Sequence, residues 1–379
     1  MIILFYLMAL IPVAVGAALW VFKHEIVWWE WLISTALAFA VSGIMHAIAI
    51  FGMTADTETW SGQSNRVVFH PRWVEEYQQM HTRTVGSGKN QRTETYYTTE
   101  HRTHREHWKE HANFGKDDAE FDIGRNEYDE VGKKFGGKVI VTQPPKSGFD
   151  GGDRNIYTIR NQTRYIKPAI IWKRWTNRIK VAPSVFSFVK VPETMKVYNY
   201  PKNDNWKRSD RLVGTAGAAI PILQWDQMCS RLGPRKKVNV ILVGFGDKDS
   251  MYAQYQQAKW LGGKKNDLVL CYGGPNVKPT WTFVFGWSES ELAKKNLQSL
   301  LLDGPVDLSI IPKIETEIRN NYTIKDWSKF DYIAVEPPQW SYFVLIGIMV
   351  LSQSIVLGVS YFNKTDKSTS DKRERKVHY

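Results

Sequence analysis

Three uncharged apolar stretches, Ile2–Phe22, Trp31–Met53 and Tyr342–Phe362, constrain this chain more than any other feature. Each is about 20 residues long, enough for an α-helix to cross roughly 30 Å of hydrocarbon. Between the second and third lies a long polar segment. The pattern predicts an α+β membrane protein with three transmembrane helices and a large extramembrane domain. Its expected divisions are a transmembrane hairpin at 1–53, a β-rich module at 54–220 and an α/β module at 221–339. A closing helix at 340–362 and a basic tail at 363–379 complete it.

The middle of the chain is not disordered by composition. The sequence holds 16 Trp, 17 Tyr and 17 Phe, ample for a packed core. A formal net charge of +12 raises nucleic acid or anionic lipid as partners. Part of that excess sits in the tail, where Lys364, Lys367, Lys372, Arg373, Arg375 and Lys376 outnumber Asp366, Asp371 and Glu374. The rest is spread thinly, which favours solubility and attraction to a membrane surface over nucleic acid. Two cysteines, Cys229 and Cys271, allow at most one internal disulfide.

The first apolar stretch is too long for a signal-peptide core, lacks a positive start and has no small-residue cleavage site after it. It is therefore read as a helix, with Lys23–Glu30 as the turn of a hairpin. Trp20, Trp28, Trp29 and Trp31 cluster at that turn, and Trp340 precedes the third stretch; indole rings favour the headgroup layer. Basic residues near helix ends set orientation. Lys23 and the basic tail mark the cytoplasmic side, whereas Asp56, Glu58, Asp331 and Glu336 flank the domain. The expectation is a multi-pass bacterial inner-membrane protein with 54–339 outside the cytoplasm. His46 is the titratable side chain inside the spans, and an intramembrane ionisable group is by default a functional candidate.

Residues 54–220 carry short Thr-, Val- and aromatic-rich runs punctuated by Pro and Gly, such as TETWSGQSNRVVF, RWVEEYQQMHTRTV, AIIWKRW and VFSFVKV. One short helix is expected at Asn126–Phe135. The segment EHRTHREHWKEH holds His101, His104, His107 and His111. On a helix, at about 100° per residue, these four fall within about 120° and would make one imidazole face able to chelate a transition metal. In an extended chain His104 points away from the others, and the segment is then a solvated polar hairpin.

From 222 onward helices and strands alternate. VNVILVGFG and NDLVLCYGG read as buried strands joined by a helix, TWTFVFGW as a third strand, and SESELAKKNLQSLLLD as a helix with a Ser288/Glu291 capping box. Two apolar strands joined by a helix imply a right-handed crossover in a three-layer α/β unit. This order, over roughly 234–320, resembles the TPM domain of membrane-anchored bacterial proteins. DTETWSG, GSGKN, SVFSF and AKWLGGKKNDLVLCYG resemble a family of membrane-associated proteins encoded by bacteriophages and some bacteria. Members of that family carry Cys/His residues where this chain has its histidine cluster, which here lacks cysteine.

TPM-like domains are associated with metal binding and phosphatase activity, and the resemblance directs attention to Asp247, Asp249 and Asp267. These lie near strand ends, where open α/β sheets hold ligands and carboxylates could bind a divalent cation. GFGDKDS lacks the spacing and the Lys-Ser/Thr ending of a P-loop. Spacing reveals no nucleophile-base pair or paired carboxylates. The expectation is an interaction module without catalysis, facing another envelope or phage protein, compatible with a homo-oligomer. Superinfection exclusion is its most concrete role. The rivals are a membrane-tethered, metal-dependent phosphatase-like enzyme and a small channel-forming protein.

Overall fold

A computed structural model of the chain describes residues 6–7, 9–21, 27–86, 91–116, 118–135, 138–141, 154–158, 167–182, 189–204, 208–216, 220–275 and 278–377. Helices α1 (Leu10–Val21) and α2 (Trp28–Thr54) come first, and strand β1 (Ala55–His70) begins at the residue after α2 ends. Strands β2 (Trp73–Val85), β3 (Arg92–His104), β4 (His107–Asn113) and β5 (Asp118–Ile123) lead to helix α3 (Arg125–Phe135). Next come β6 (Lys138–Val141), β7 (Arg154–Thr158), β8 (Pro168–Thr176), β9 (Asn203–Asp204) and β10 (Arg208–Ser209). The alternating part is β11 (Leu212–Gly214), α4 (Ile222–Lys236), β12 (Asn239–Gly244), α5 (Met251–Lys259), β13 (Asp267–Gly273) and β14 (Trp281–Gly286). Helices α6 (Glu291–Asp303), α7 (Ile310–Asn321) and α8 (Gln339–Val377) close an α+β chain. It divides into two compact units.

The first unit comprises Met1–Asp56, Arg174–Ser187 and Trp327–Tyr379. Among the described residues two helices, not the expected three, are long and apolar enough to cross a membrane: Trp28–Thr54 and the segment Gln339–Val356 of α8. The stretch expected at Ile2–Phe22 is described as α1, 12 residues or about 18 Å. The chain turns at Ala9, ahead of Pro12, whose missing N–H is tolerated in a helix's first turn but not its interior. Of the expected turn at 23–30, residues 23–26 lie outside the described residues and 28–30 already belong to α2. At the other end α8 continues as helix to Val377 instead of giving way to a separate tail.

Helix α2 is packed inside out. Its buried residues are Glu30, Ser34, Ala38, Ser42, Ala49 and Thr54, while Leu32, Ile33, Ile44, Ile48 and Phe51 are exposed. Small residues four apart let helix backbones approach closely, and Ala38 packs with Ala9, Leu345 and Met349. Ser34 donates to Gln353 of α8, and Ser42 donates back to the Ala38 carbonyl at 2.9 Å.

The second unit, Thr57–Lys173 and Phe188–Asp326, contains two main sheets. The first runs β5-β4-β1-β7-β6, with β8 also paired to β1. On one face of this sheet Tyr128 and Val131 of α3 pack against Val67, Phe69, Trp108, Ile123 and Tyr157. Strands β2 and β3 form a separate two-stranded ribbon whose side chains are mostly exposed. Most of VFSFVKV, expected as a strand, lies outside the described residues.

The second sheet runs β11-β12-β13-β14, parallel except for antiparallel β14. Alternate strand residues face opposite sides, so Val240, Leu242, Leu268 and Leu270 pack under α4, α6 and α7. Ile241, Val243, Val269 and Cys271 face the other way, toward Ala253 and Trp260. This is a three-layer α/β unit, but the expected boundary at 220 is too late, because edge strand β11 precedes it. Three residues are too few to carry a readable period. Cys229 lies in one face's core and Cys271 in the other's, with the sheet between them, and both thiols are free. Helix α6 is capped by Ser290, whose Oγ accepts from the Ala293 N–H at 3.2 Å, not by Ser288 as expected.

Helix α4 continues through Gly233-Pro234 to Lys236, where the sequence suggests a stop. Gly233 is needed for a second reason: a Cβ there would collide with the Ser61 carbonyl of β1. Gly233→Ala is therefore expected to cost about 1–3 kcal/mol by overpacking, read as a lowered thermal midpoint. An unchanged midpoint would mean that β1 and α4 are not in contact here.

Candidate functional site

The four histidines singled out in the sequence stand on strands, so the one-faced imidazole array of the helical reading is not formed. Within the ribbon, His101 is paired across to Glu76 and His104 to Trp73, and the two imidazoles point to opposite faces. His104 Nε2 lies 2.8 Å from Glu75 Oε2, and its ring stacks on Trp73 at 4.2 Å. His107 and His111 belong to β4 in the other sheet. Among the described residues no three His, Cys, Asp or Glu side chains are gathered as a metal ion would require.

What the fold assembles instead is a polar face on the β-rich sheet, opposite the α3 face. Register places His70 across from His107, Val68 from Lys109 and Arg66 from His111 on β1 and β4. On the far side of β4, His111 is opposite Glu120. Arg154 opens β7 beside the end of β1, where Phe69 pairs with Asn155. Side chains two apart on a strand share a face, so Arg66, His70, Lys109, His111 and Arg154 surround Val68, itself 1% exposed.

The contacts in this ring are specific. His70 and His107 stack at 4.5 Å with 4° between their planes. Arg154 Nη2 lies 3.4 Å from His70 Nε2. His111 Nδ1 lies 3.1 Å from Glu120 Oε1, and Lys109 Nζ reaches the other Glu120 oxygen at 3.4 Å. Burial, with Arg154 and His107 adding to it, pushes His70 down to about 4. Burial also lowers His111 against the opposing pull of Glu120, with Arg66, Arg154 and Lys109 adding to the lowering. Desolvation pushes the Glu120 carboxyl up, but His111, Lys109 and His70 together hold it below its usual range. Two buried nitrogens on this face, His111 Nε2 and Arg154 Nε, have no hydrogen-bond partner.

The three aspartates do not form a site. Asp267 pairs with Asn239 at the start of the parallel strands, whereas Asp247 and Asp249 follow the end of β12. That strand is six residues long, about 20 Å. Asp249 accepts from the Met251 N–H at 2.9 Å as a turn residue. Asp267 is fully buried and accepts from Asn239 Nδ2 at 2.8 Å, the Lys264 N–H at 2.8 Å and Tyr200 OH at 2.9 Å. Burial raises its pKa. Asn239 in turn accepts from Arg211 Nε at 2.7 Å, and Arg211 also donates to Asp226 at 2.7 Å and to Ser61 at 2.5 Å. This is a buried structural network.

In the first unit His46 stacks on Tyr6 at 5.6 Å. Trp20 stacks on Trp31 at 5.8 Å, and Trp31 Nε1 donates to the Val13 carbonyl at 3.1 Å. Trp28, Trp29 and Trp340 are exposed at helix starts. No family model, curated protein or solved structure matches the chain.

Sequence reasoning found His107 and His111 but missed His70 and Arg154, which lie 84 positions apart. The available signal was the two-residue alternation Arg66, Val68, His70 on one strand and His107, Lys109, His111 on the next. Pairing the two runs requires knowing the register.

Proposed function

We propose that this chain is a membrane-anchored binding protein, without catalysis of its own, that holds its second unit on the side of the membrane away from the basic C-terminal segment. The observation that carries the reading is the inversion of α2: small and polar residues inside, Ile33, Ile44, Ile48 and Phe51 outside. Water would penalise that arrangement at about 25 cal/mol per Å² of apolar surface, whereas lipid would not. Lys23 and the basic residues after 363 support the sidedness. The enzyme alternative loses its basis because Asp247 and Asp249 sit at the opposite end of the sheet from Asp267. The resemblance to phage- and bacterium-encoded membrane proteins supports a role at the cell envelope, with superinfection exclusion as its concrete form.

Cysteine labelling gives the test with little background, because Cys229 and Cys271 are buried. In a bacterial host the protein should resist alkaline extraction from membranes. An impermeant maleimide should label Thr93→Cys in spheroplasts and leave Ser368→Cys unlabelled. Extraction of the protein, or labelling at 368 alone, would reject the reading. Cells expressing it should adsorb related phages normally yet block DNA entry, and unchanged infection by every phage tried would remove the exclusion role.

A further inference from the structure

We propose that residues 174–182 and 327–340 form a collar seated in the lipid headgroup layer, where α2 leaves the bilayer and α8 enters it, with Tyr332 and Trp340 as its lipid-facing side chains. This rests on the membrane-anchored reading and adds a second, largely non-helical contact with the bilayer.

The collar belongs to the same compact unit as the helices and is fastened to them by specific bonds. The Asn177 N–H donates to the Thr54 carbonyl at 2.7 Å, and Asn177 Nδ2 donates to Asp56 at 2.8 Å. Lys180 Nζ donates to the Ala55 carbonyl at 3.2 Å. Carbonyls at a helix C-terminus lack partners within the helix, so this segment caps α2. Arg178 Nη1 donates to the Ile333 carbonyl at 3.0 Å, which ties the strap ahead of α8 to the cap. Trp175 meets Trp327 edge-on at 4.5 Å, and Ile179, Phe330, Ile333 and Val335 are buried.

The register between the helices sets the height of the collar. Ser34 donates to Gln353, and Ala38 packs with Leu345 and Met349, so α2 and α8 run antiparallel. Counting equal steps from the Ser34–Gln353 contact puts Trp340 level with Ala47. Beyond that level α2 continues for about 10 Å through Ile48 and Phe51, which are 55% and 58% exposed. Lipid that shields these two side chains must rise past the start of α8. The strap spans that height, because it runs from the cap at Thr54 to Gln339.

The chemistry of the collar suits headgroups. Burial alternates along the strap, with Ile333, Val335 and Pro337 inside and Tyr332, Ala334 and Glu336 outside. Tyr332 is 73% exposed and Trp340 56%, and these are the residue types that favour the headgroup level. Among the described residues here, Arg174, Arg178, Lys180 and Lys329 stand with Asp56, Asp331 and Glu336. Asp331 lies 3.8 Å from Arg178. Such a near balance fits a layer of phosphates, amines and water, and excludes the hydrocarbon, where charges are costly.

The test is a spin-label depth measurement on the full chain in phosphatidylcholine nanodiscs. It compares collisions with oxygen, which concentrates in lipid, against collisions with a water-soluble nickel chelate. Cys229 and Cys271 are buried, so one introduced cysteine carries the label. Ile44→Cys, exposed on α2, should read as hydrocarbon. Tyr332→Cys should read on the polar side of the hydrocarbon edge and within about 8 Å of it, the thickness of a headgroup layer. A reading at Tyr332→Cys equal to that of a free aqueous label, as contact with water, a second copy or another protein would give, overturns the proposal. A reading that matches Ile44→Cys overturns it as well. If Tyr332→Cys does not fold, Ala334→Cys on the same side of the strap decides by the same comparison. An aqueous reading at Ile44→Cys rejects the anchor itself, so failure of the anchor and failure of the collar are told apart.

Discussion

Arg211→Ala is expected to remove about 3–5 kcal/mol from the stability of the second unit, the cost of breaking a buried ion pair by deleting one partner. Arg211 is 0% exposed. Its three donor contacts reach Asp226, Asn239 and Ser61, all buried, so alanine leaves a carboxylate and two polar groups without their donor. A typical domain has about 5–15 kcal/mol in total, which makes this a large share. Urea denaturation of the detergent-solubilised chain, followed by tryptophan fluorescence, measures it. The companion Arg211→Met with Asp226→Leu removes both charges at similar volume and should recover most of the loss. A cost below about 1 kcal/mol for Arg211→Ala would mean that water reaches the guanidinium and that the network is not closed.

Why the fold was largely legible and the site was not follows from the range of the signals. Helix α2 is 27 residues long, and its apolar run Trp31–Met53 announces itself through local composition. Strands β12 and β13 are buried at every position, so they read as continuous apolar runs. Strand β11 is invisible at three residues, and it joins the sheet through Leu212 and Val213 pairing with Leu242 and Val243, a contact no local pattern encodes. Of the first expected span, Leu10–Val21 is described as a helix after a turn at Ala9, which apolarity alone does not register.

The histidine cluster shows the same limit from the other side. Proximity in sequence suggested that His101, His104, His107 and His111 act together, but Arg105 and Glu106 separate two strands that belong to different sheets. The real neighbours of His107 and His111 come from β1, β5 and β7. Asp267 repeats the lesson. Its position beside a strand was read correctly, but which end of the parallel pair it occupies depends on register, and that end decides between a ligand site and a buried polar network.

The pH dependence of stability should contain two nearly cancelling slopes, which single substitutions separate. Glu110 on β4 is 1% exposed. It accepts from Ser64 and Lys167, and Lys167 also reaches Glu127 at 3.0 Å. Burial outweighs the attraction of Lys167 and raises Glu110 to about 7, with the nearby Glu127 adding to the rise. The folded state therefore holds this proton more tightly than the unfolded state, whose carboxyl titrates near 4.5. Stability from this group is fully present below that value and is lost as pH rises toward 7, by an amount on the order of 3 kcal/mol. His70 has the opposite sign. Its folded value is about 4 against 6.5 unfolded, so the folded state binds the proton less tightly and gains stability as pH rises across that window. Together they leave the wild-type profile shallow between about pH 4.5 and 6.5. Glu110→Gln, neutral and of the same shape, should expose a stability that climbs with pH and exceeds wild type at pH 8 by the order of magnitude above. His70→Asn should expose the falling slope instead. Urea midpoints collected from pH 4 to 8 decide it, and parallel profiles for wild type and Glu110→Gln would mean that Glu110 is ionised throughout, held so by Lys167.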